Sequence, residues 1–172
     1  MSDFAQDLAL QIPRLRRYAR ALTHNAAWAD DLVQDTLERA LRRRWLFRIN
    51  GNLTAWLLTM LHRIYLNDVT RRRTAPVSLD DGMPEPGVPD DMALQFDIRR
   101  ALSNLHPEQR AVMVLIGLEQ LSYKEAAQVL DIPIGTVMSR LARARAQLRD
   151  ALSGKAAQSA TTAAHSHLTR IK

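Results

Sequence analysis

The stretch LSYKEAAQVLDIPIGTVMSRLARARAQLR, residues 121–149, decides how this chain is read. Ser122-Tyr123-Lys124-Glu125 has the form of a capping box, in which a serine hydroxyl and a glutamate three residues on each satisfy an orphan amide at a helix start. The apolar spacing that follows predicts a helix ending near Leu130. Asp131-Ile132-Pro133 makes a short turn, and Ile134-Gly135-Thr136 opens a last helix expected to reach about Leu152. Two helices joined by a tight turn, the second rich in arginine, form a helix-turn-helix. On a wheel of about 100° per residue, Val137, Leu141, Ala144 and Leu148 share one face and should pack inward. Ser139 and Arg143 lie opposite, with Thr136, Met138 and Ala142 near them. Such outward residues near a helix N-terminus are placed to read base edges in a major groove. Arg140 and Arg145 fall at the flanks, suited to phosphate or to a surface ion pair.

Working outward, Pro107 suits a first helical position and Glu108 a first turn, which predicts a helix to about Gly117. Another helix is expected over residues 93–103. Before it comes TAPVSLDDGMPEPGVPDD (74–91), with four prolines, two glycines and five acidic residues. Proline removes backbone donors and the like charges resist collapse, so 74–92 reads as a flexible acidic linker. It separates a domain over 1–73 from the helix-turn-helix domain over 93–152. The tail 153–172 is poor in large apolar residues and is expected to be frayed.

The first domain is also helical by pattern. Leu8, Ile12, Leu15, Ala19 and Leu22 form one stripe, with Pro13 as a candidate helix start. Ala29, Leu32, Val33, Thr36, Leu37, Ala40 and Leu41 follow helical spacing. A third helix is predicted from Leu53 to Arg72, with Leu53, Trp56, Leu57, Met60, Leu61 and Ile64 inward. No alternating strand pattern competes. The expected fold class is all-α, two small helical domains on a flexible linker.

The net charge of +6 favours a polyanionic partner. Its distribution is uneven: residues 1–73 hold 13 Lys/Arg against 7 Asp/Glu, and residues 93–152 hold 8 against 6. Two basic segments therefore flank the acidic joint. Cysteine is absent, which removes disulfides and thiolate metal sites and suits a cytoplasmic setting. No apolar run is long enough to span a bilayer, and MSDFAQDLALQ does not read as a signal peptide. His165 and His167 form a chance pair on a polar tail, so no metal and no other cofactor is expected. Paired carboxylates occur without a partner nucleophile, which leaves little case for an enzyme.

The string GTVMSRLARAR (135–145) resembles the promoter-reading region 4 of extracytoplasmic-function (ECF) RNA polymerase sigma factors. ADDLVQDTLERAL (29–41) and AWLLTMLHRIYLNDVTRRR (55–73) resemble region 2 of the same family, in the same order and with similar separations. The resemblance covers roughly residues 8–152 and implies a promoter-recognition subunit. It implies that Asp31, Gln34, Asp35 and Glu38, an acidic strip in a basic domain, dock the clamp helices of the largest subunit of core RNA polymerase. It implies that the third helix and the loop before it serve the −10 element, with Arg63, Arg71, Arg72 and Arg73 on phosphates. Asn50 and Asn52 would line a pocket for an extruded base. Trp28 and Trp56 are candidates for stacking on bases, although at helical spacing each reads as core. Thr136, Met138, Ser139, Arg140 and Arg143 would meet the −35 element. A cognate anti-sigma factor is implied as a further partner. Two positions depart from the common pattern: Arg63 stands where many members carry asparagine, and Met138 where a basic residue is frequent.

Two rival readings fit the same residues. A stand-alone helix-turn-helix regulator would bind DNA without polymerase, but has no use for the acidic strip. A sigma-like decoy would bind an anti-sigma factor and no promoter, but has no need of Arg143 and a basic first domain.

Overall fold

The computed structural model describes residues 4–47, 51–74 and 100–167, with backbone alone for 73–74 and 154–167. The described elements are helical, and no strand occurs among them. The linker 74–92 lies almost wholly outside the described residues, as does the start of the helix expected over 93–103.

Helix α1 (Phe4–Thr23) buries Leu8, Leu15, Tyr18, Ala19 and Leu22. Pro13 does not start this helix but sits inside it. Proline costs a helix one hydrogen bond, yet the turn before it is anchored by buried Leu8 and by Phe4, whose ring lies 6.1 Å from that of Phe47. His24, at φ 53°, turns the chain after α1. Asn25 then caps α2 (Ala26–Arg42), its Oδ1 accepting from the Trp28 amide at 2.8 Å. Helix α2 buries Ala29, Leu32, Val33, Thr36 and Ala40, but Leu41, expected inward, is 49% exposed. It lies in the last turn, where among the described residues it stays largely open to solvent. A short 3-10 turn (Arg44–Leu46) leads towards α3 (Leu53–Thr74). Asn52 Oδ1 accepts from the Ala55 amide at 3.1 Å at the start of α3. Leu57, Leu61 and Ile64 are buried as expected, with Leu53, Trp56 and Met60 packed at the margin. Leu58 is also fully buried, which one inward face does not explain.

In the second half, residues 100–103 are helical and lead to α4 (Pro107–Gly117), with Pro107 in its first turn. Helix α5 (Tyr123–Leu130) carries the complete capping box: Ser122 Oγ accepts from the Glu125 amide, and the Glu125 carboxylate accepts from the Ser122 amide. Asp131, at φ 54°, ends α5 in the left-handed region, where a short polar side chain is among the better-tolerated non-glycine residues. Helix α6 (Ile134–His167) follows. The sequence ends this helix near Leu152; the structure carries it on to His167. Alanines at 156, 157, 160, 163 and 164 supply the helix propensity there.

The halves are packed together. Helix α1 lies against α4, and α3 against α5. Buried residues from both form one continuous core, from Leu15, Leu57 and Leu58 to Val112, Leu115 and Val129. Helix α3 is thus covered on two sides, which explains Leu58.

Candidate nucleic-acid interface

On α6, Val137, Leu141 and Ala144 are buried and Leu148 is half-buried, matching the inward face drawn from spacing. Met138 is 51% exposed, Ser139 and Arg143 are exposed, and Thr136 is half-buried. Ser139 Oγ donates to the Thr136 carbonyl at 3.1 Å. Arg140 Nη2 pairs with Glu108 of α4 at 2.8 Å, the ion pair allowed for a flank position. The outward face therefore offers one exposed guanidinium, a hydroxyl and a thioether on a helix anchored by its other side. The turn of Asp131 and Pro133 sets its entry.

The acidic strip of α2 stands on the far side of the molecule's sequence but is equally exposed: Asp31, Gln34, Asp35 and Glu38 all face solvent. Asp35 is 3.9 Å from Arg39, and Glu38 pairs with Arg42, both one turn on. Exposed pairs of this spacing contribute only about 0.3–0.5 kcal/mol, so they leave the carboxylates available to a partner. Beside the strip runs a groove of about 410 Å³ between α1 and α2, floored by Ile12, Val33, Leu37 and Leu41 and rimmed by Arg16, Asp30, Gln34 and Glu38. Past the helix end, Trp45 is 76% exposed and Leu46 is exposed. Spacing gave no warning of this shelf, because Trp45 and Leu46 lie beyond the helical repeat. An apolar floor with a charged rim is the anatomy of a protein-docking surface.

The residues assigned to the −10 element are dispersed. Asn50 lies outside the described residues, and only the backbone of Arg73 is described, within α3. Arg63 is exposed on α3. Arg71 donates to Asp68, and the Arg72 guanidinium stacks 4.0 Å from the ring centre of Trp28. Trp28 Nε1 in turn donates to Asp68 at 3.3 Å. Trp28 and Trp56 are both half-buried: the first packs on Tyr65 and the second on Phe47. Asn52 faces solvent and also crosses between the halves, donating to Glu125 Oε1 at 2.5 Å. Hydrogen bonds from the Ser122 backbone, the Ser122 side chain and Asn52, in that order, hold the Glu125 carboxyl below its usual range.

Sequence reasoning missed the ionic centre of the junction. Glu119, in the loop after α4, has a fully buried side chain, and both its oxygens face α1. Arg17 donates to them through Nε at 2.7 Å and Nη2 at 3.1 Å, and Arg14 Nε lies 3.7 Å away. Its bond to Glu119 raises the Arg17 pKa above the ordinary value. Arg110, from α4, is 5% exposed, and neither its Nε nor its Nη1 has a hydrogen-bond partner. Burial lowers its pKa. Burial first, and the Arg110 charge second, lower that of His24. A lone glutamate carries no periodic signal, so only its chemistry, a carboxylate amid apolar residues at 114–121, hinted at a partner.

With this geometry in place, the likenesses to known proteins define the class. Residues 95–148 match the family model for sigma-70, region 4, and residues 8–62 match that for the Sigma2 domain of PhyR. The ECF RNA polymerase sigma factor EcfG of Rhodopseudomonas palustris is 37% identical over 148 residues, covering 83% of this chain and 81% of its own. The ECF sigma factor SigM of Mycobacterium tuberculosis is 32% identical, covering 78% and 69%. Among solved structures, the sigma factor RpoE of Bartonella quintana, in complex with the anti-sigma factor NepR, superposes with a TM-score of 0.74. It is 33% identical and covers 89% of this chain and 98% of its own. CnrH, in complex with the cytosolic domain of CnrY, gives a TM-score of 0.65 at 26% identity, covering 88% of each. The chain belongs to the ECF family of RNA polymerase sigma factors. Among the described residues no helix is long and apolar enough to cross a membrane.

Proposed function

We propose that this sigma factor works in the cytoplasm, where it binds core RNA polymerase and carries it to promoters with −10 and −35 elements. Catalysis then belongs wholly to the polymerase. In this reading α2 docks the clamp helices through Asp31, Gln34, Asp35 and Glu38, with the groove beside them and the Trp45–Leu46 shelf taking apolar side chains. Thr136, Met138, Ser139 and Arg143 meet the −35 major groove, and Arg140 supports them from its pair with Glu108. Asn50, Asn52, Arg63, Arg71, Arg72 and Arg73 serve the −10 element. The observation that carries the reading is the division of α6: Val137, Leu141 and Ala144 are buried while Ser139 and Arg143 project from the opposite side. The relative co-crystallised with the anti-sigma factor NepR supports a cognate anti-sigma partner here as well. The test is run-off transcription from a mapped promoter with purified core enzyme: addition of the chain should produce a defined start.

One observation favours the decoy reading, since the region 2 match is to the Sigma2 domain of PhyR, and a PhyR crystallised with NepR is described as an anti-anti-sigma factor. A decoy would capture an anti-sigma factor yet give no transcript in the same assay.

A further inference from the structure

Trp28 stands in the first turn of α2 and is held from several sides. Its backbone amide donates to the Asn25 cap at 2.8 Å. Tyr65 of α3 packs on its ring at 5.7 Å between centres, and its indole Nε1 donates to Asp68 Oδ2 at 3.3 Å. The Asp68 side chain is only 18% exposed, so this hydrogen bond is sheltered and the indole plane is fixed. Trp28 is thus a rigid platform that joins the start of α2 to the end of α3.

On this platform lies Arg72, its guanidinium carbon 4.0 Å from the ring centre. The negative face of an indole attracts a cation, and stacking occupies only the flat face of the guanidinium. Its N–H groups lie in its own plane and stay able to donate. Arg72 is exposed and has no ion pair among the described residues. Its neighbour differs, since Arg71 donates to Asp68 Oδ1. The carboxylate that steadies the indole is therefore answered by Arg71, and Arg72 keeps its charge uncancelled. A loose arginine loses rotamer freedom when it meets an anion. One laid on a platform has lost that freedom beforehand, and preorganised groups bind more tightly for this reason. With Tyr65 and Arg72 both against the ring, little of Trp28 is left for a nucleobase.

We propose that Trp28 is a positioning residue for the −10 strand: steadied by Asp68, it holds Arg72 in place to take a backbone phosphate through its outer edge. This role rests on the promoter function proposed above; the stacked arrangement itself does not.

The chain has three tryptophans, so its nitrogen–proton correlation spectrum holds three indole resonances, and Trp28→Phe removes one and assigns it. In the full chain without DNA, Arg72→Ala should shift that resonance and leave the others in place. Asp68→Ala should speed its exchange with water. Core enzyme assembled with each variant is then titrated with the single-stranded −10 segment of the mapped promoter at several salt concentrations, well below each melting temperature. Arg72→Ala should weaken binding about tenfold and lower the salt slope by about 0.7. Trp28→Leu should weaken binding severalfold in the parent and not at all in the Arg72→Ala chain, because the two residues act as one unit. Trp28→Phe, which keeps a ring under the guanidinium, should recover most of that loss. A side chain that merely fills space would weaken both backgrounds alike. Additive losses from Trp28→Leu and Arg72→Ala, or a Trp28 resonance that Arg72→Ala does not move, would overturn the positioning role. A parental holoenzyme that ignores the strand would overturn the promoter reading, and this role with it, while the resonance still reports whether Arg72 lies on Trp28.

Discussion

His62 and Arg143 are single residues whose settings lead to measurable consequences. His62 sits inside the first half, its Nδ1 hydrogen-bonded to Tyr18 Oη at 2.9 Å, and burial pushes its pKa from 6.5 down to about 4. The same burial raises the Tyr18 phenol, so both partners stay neutral. As pH falls below 6.5 the unfolded chain takes up a proton at His62 that the folded protein refuses until about 4. The stability this site supplies is complete above 6.5 and is lost across that window, about 3 kcal/mol in all. Denaturant titrations at pH 7.5, 6 and 5 should show the decline, and His62→Gln, which keeps an acceptor for Tyr18, should flatten it. His24 titrates in the same direction and leaves a residual slope; equal slopes in parent and variant would remove His62 as the source. Arg143 tests the other face. Because it is exposed and Val137, Leu141 and Ala144 hold the helix, Arg143→Ala should leave the melting temperature unchanged. It should cost about 1–3 kcal/mol in −35 duplex binding and relax preference at one base pair if the contact is bidentate to guanine. A contact to phosphate alone would instead weaken all sequences equally and lower the salt slope by about one.

At the scale of elements, local chemistry was readable and tertiary cover was not. The capping box at Ser122 and Glu125, and Pro107 with Glu108 at the start of α4, concern backbone groups within one turn, so sequence placed them. Pro13 misled because the cost of one missing hydrogen bond is set against the burial of Leu8, which no local rule sees. Leu41 misled in the opposite sense, since periodicity names a face without saying where its cover ends. Helices α2 and α6 each invite a prediction. Changing Asp35 and Glu38 to lysine removes two exposed pairs, costing about 1 kcal/mol or less together, so α2 should stay folded on its intact apolar stripe. Affinity for core enzyme should fall, as opposed charge replaces complementary charge, and a folded double variant with parental affinity would detach the strip from that role. On α6, Leu141 is buried, and Leu141→Ala should cost about 2–5 kcal/mol through the cavity it leaves. DNA binding should then fail only above the lowered melting temperature. A Leu141→Ala protein that is folded but cannot bind would mean the inward and outward faces have been exchanged.

At the scale of the whole molecule, the sequence divides where the structure joins. Prolines and acidic residues at 74–92 announce two units, and each half has its own periodic stripes, so nothing local reveals that the halves share a core. The clues were negative ones: Leu58 off the inward face of α3, and Glu119 with no helical neighbour to pair with. They gain meaning only when α1 meets α4 and α3 meets α5. A shared core makes a claim about unfolding. Two independent domains of this size would melt separately, whereas one continuous apolar interior should melt in a single transition, with equal calorimetric and van't Hoff enthalpies. The Arg17–Glu119 bond should sharpen this coupling, because Arg17→Glu sets a second carboxylate against the buried Glu119 in place of its donor, a repulsion that the exposed side of the pair tempers. Scanning calorimetry on the full chain should therefore show one peak. Arg17→Glu should split it into two, each near the melting point of its own half, because the halves then unfold without reference to each other. Salt should do little to the parental peak, since Glu119 is shielded from solvent, and screening acts chiefly on exposed charges. Two peaks in the parent protein, or a single peak that survives Arg17→Glu unchanged, would mean that the halves touch without sharing their stability.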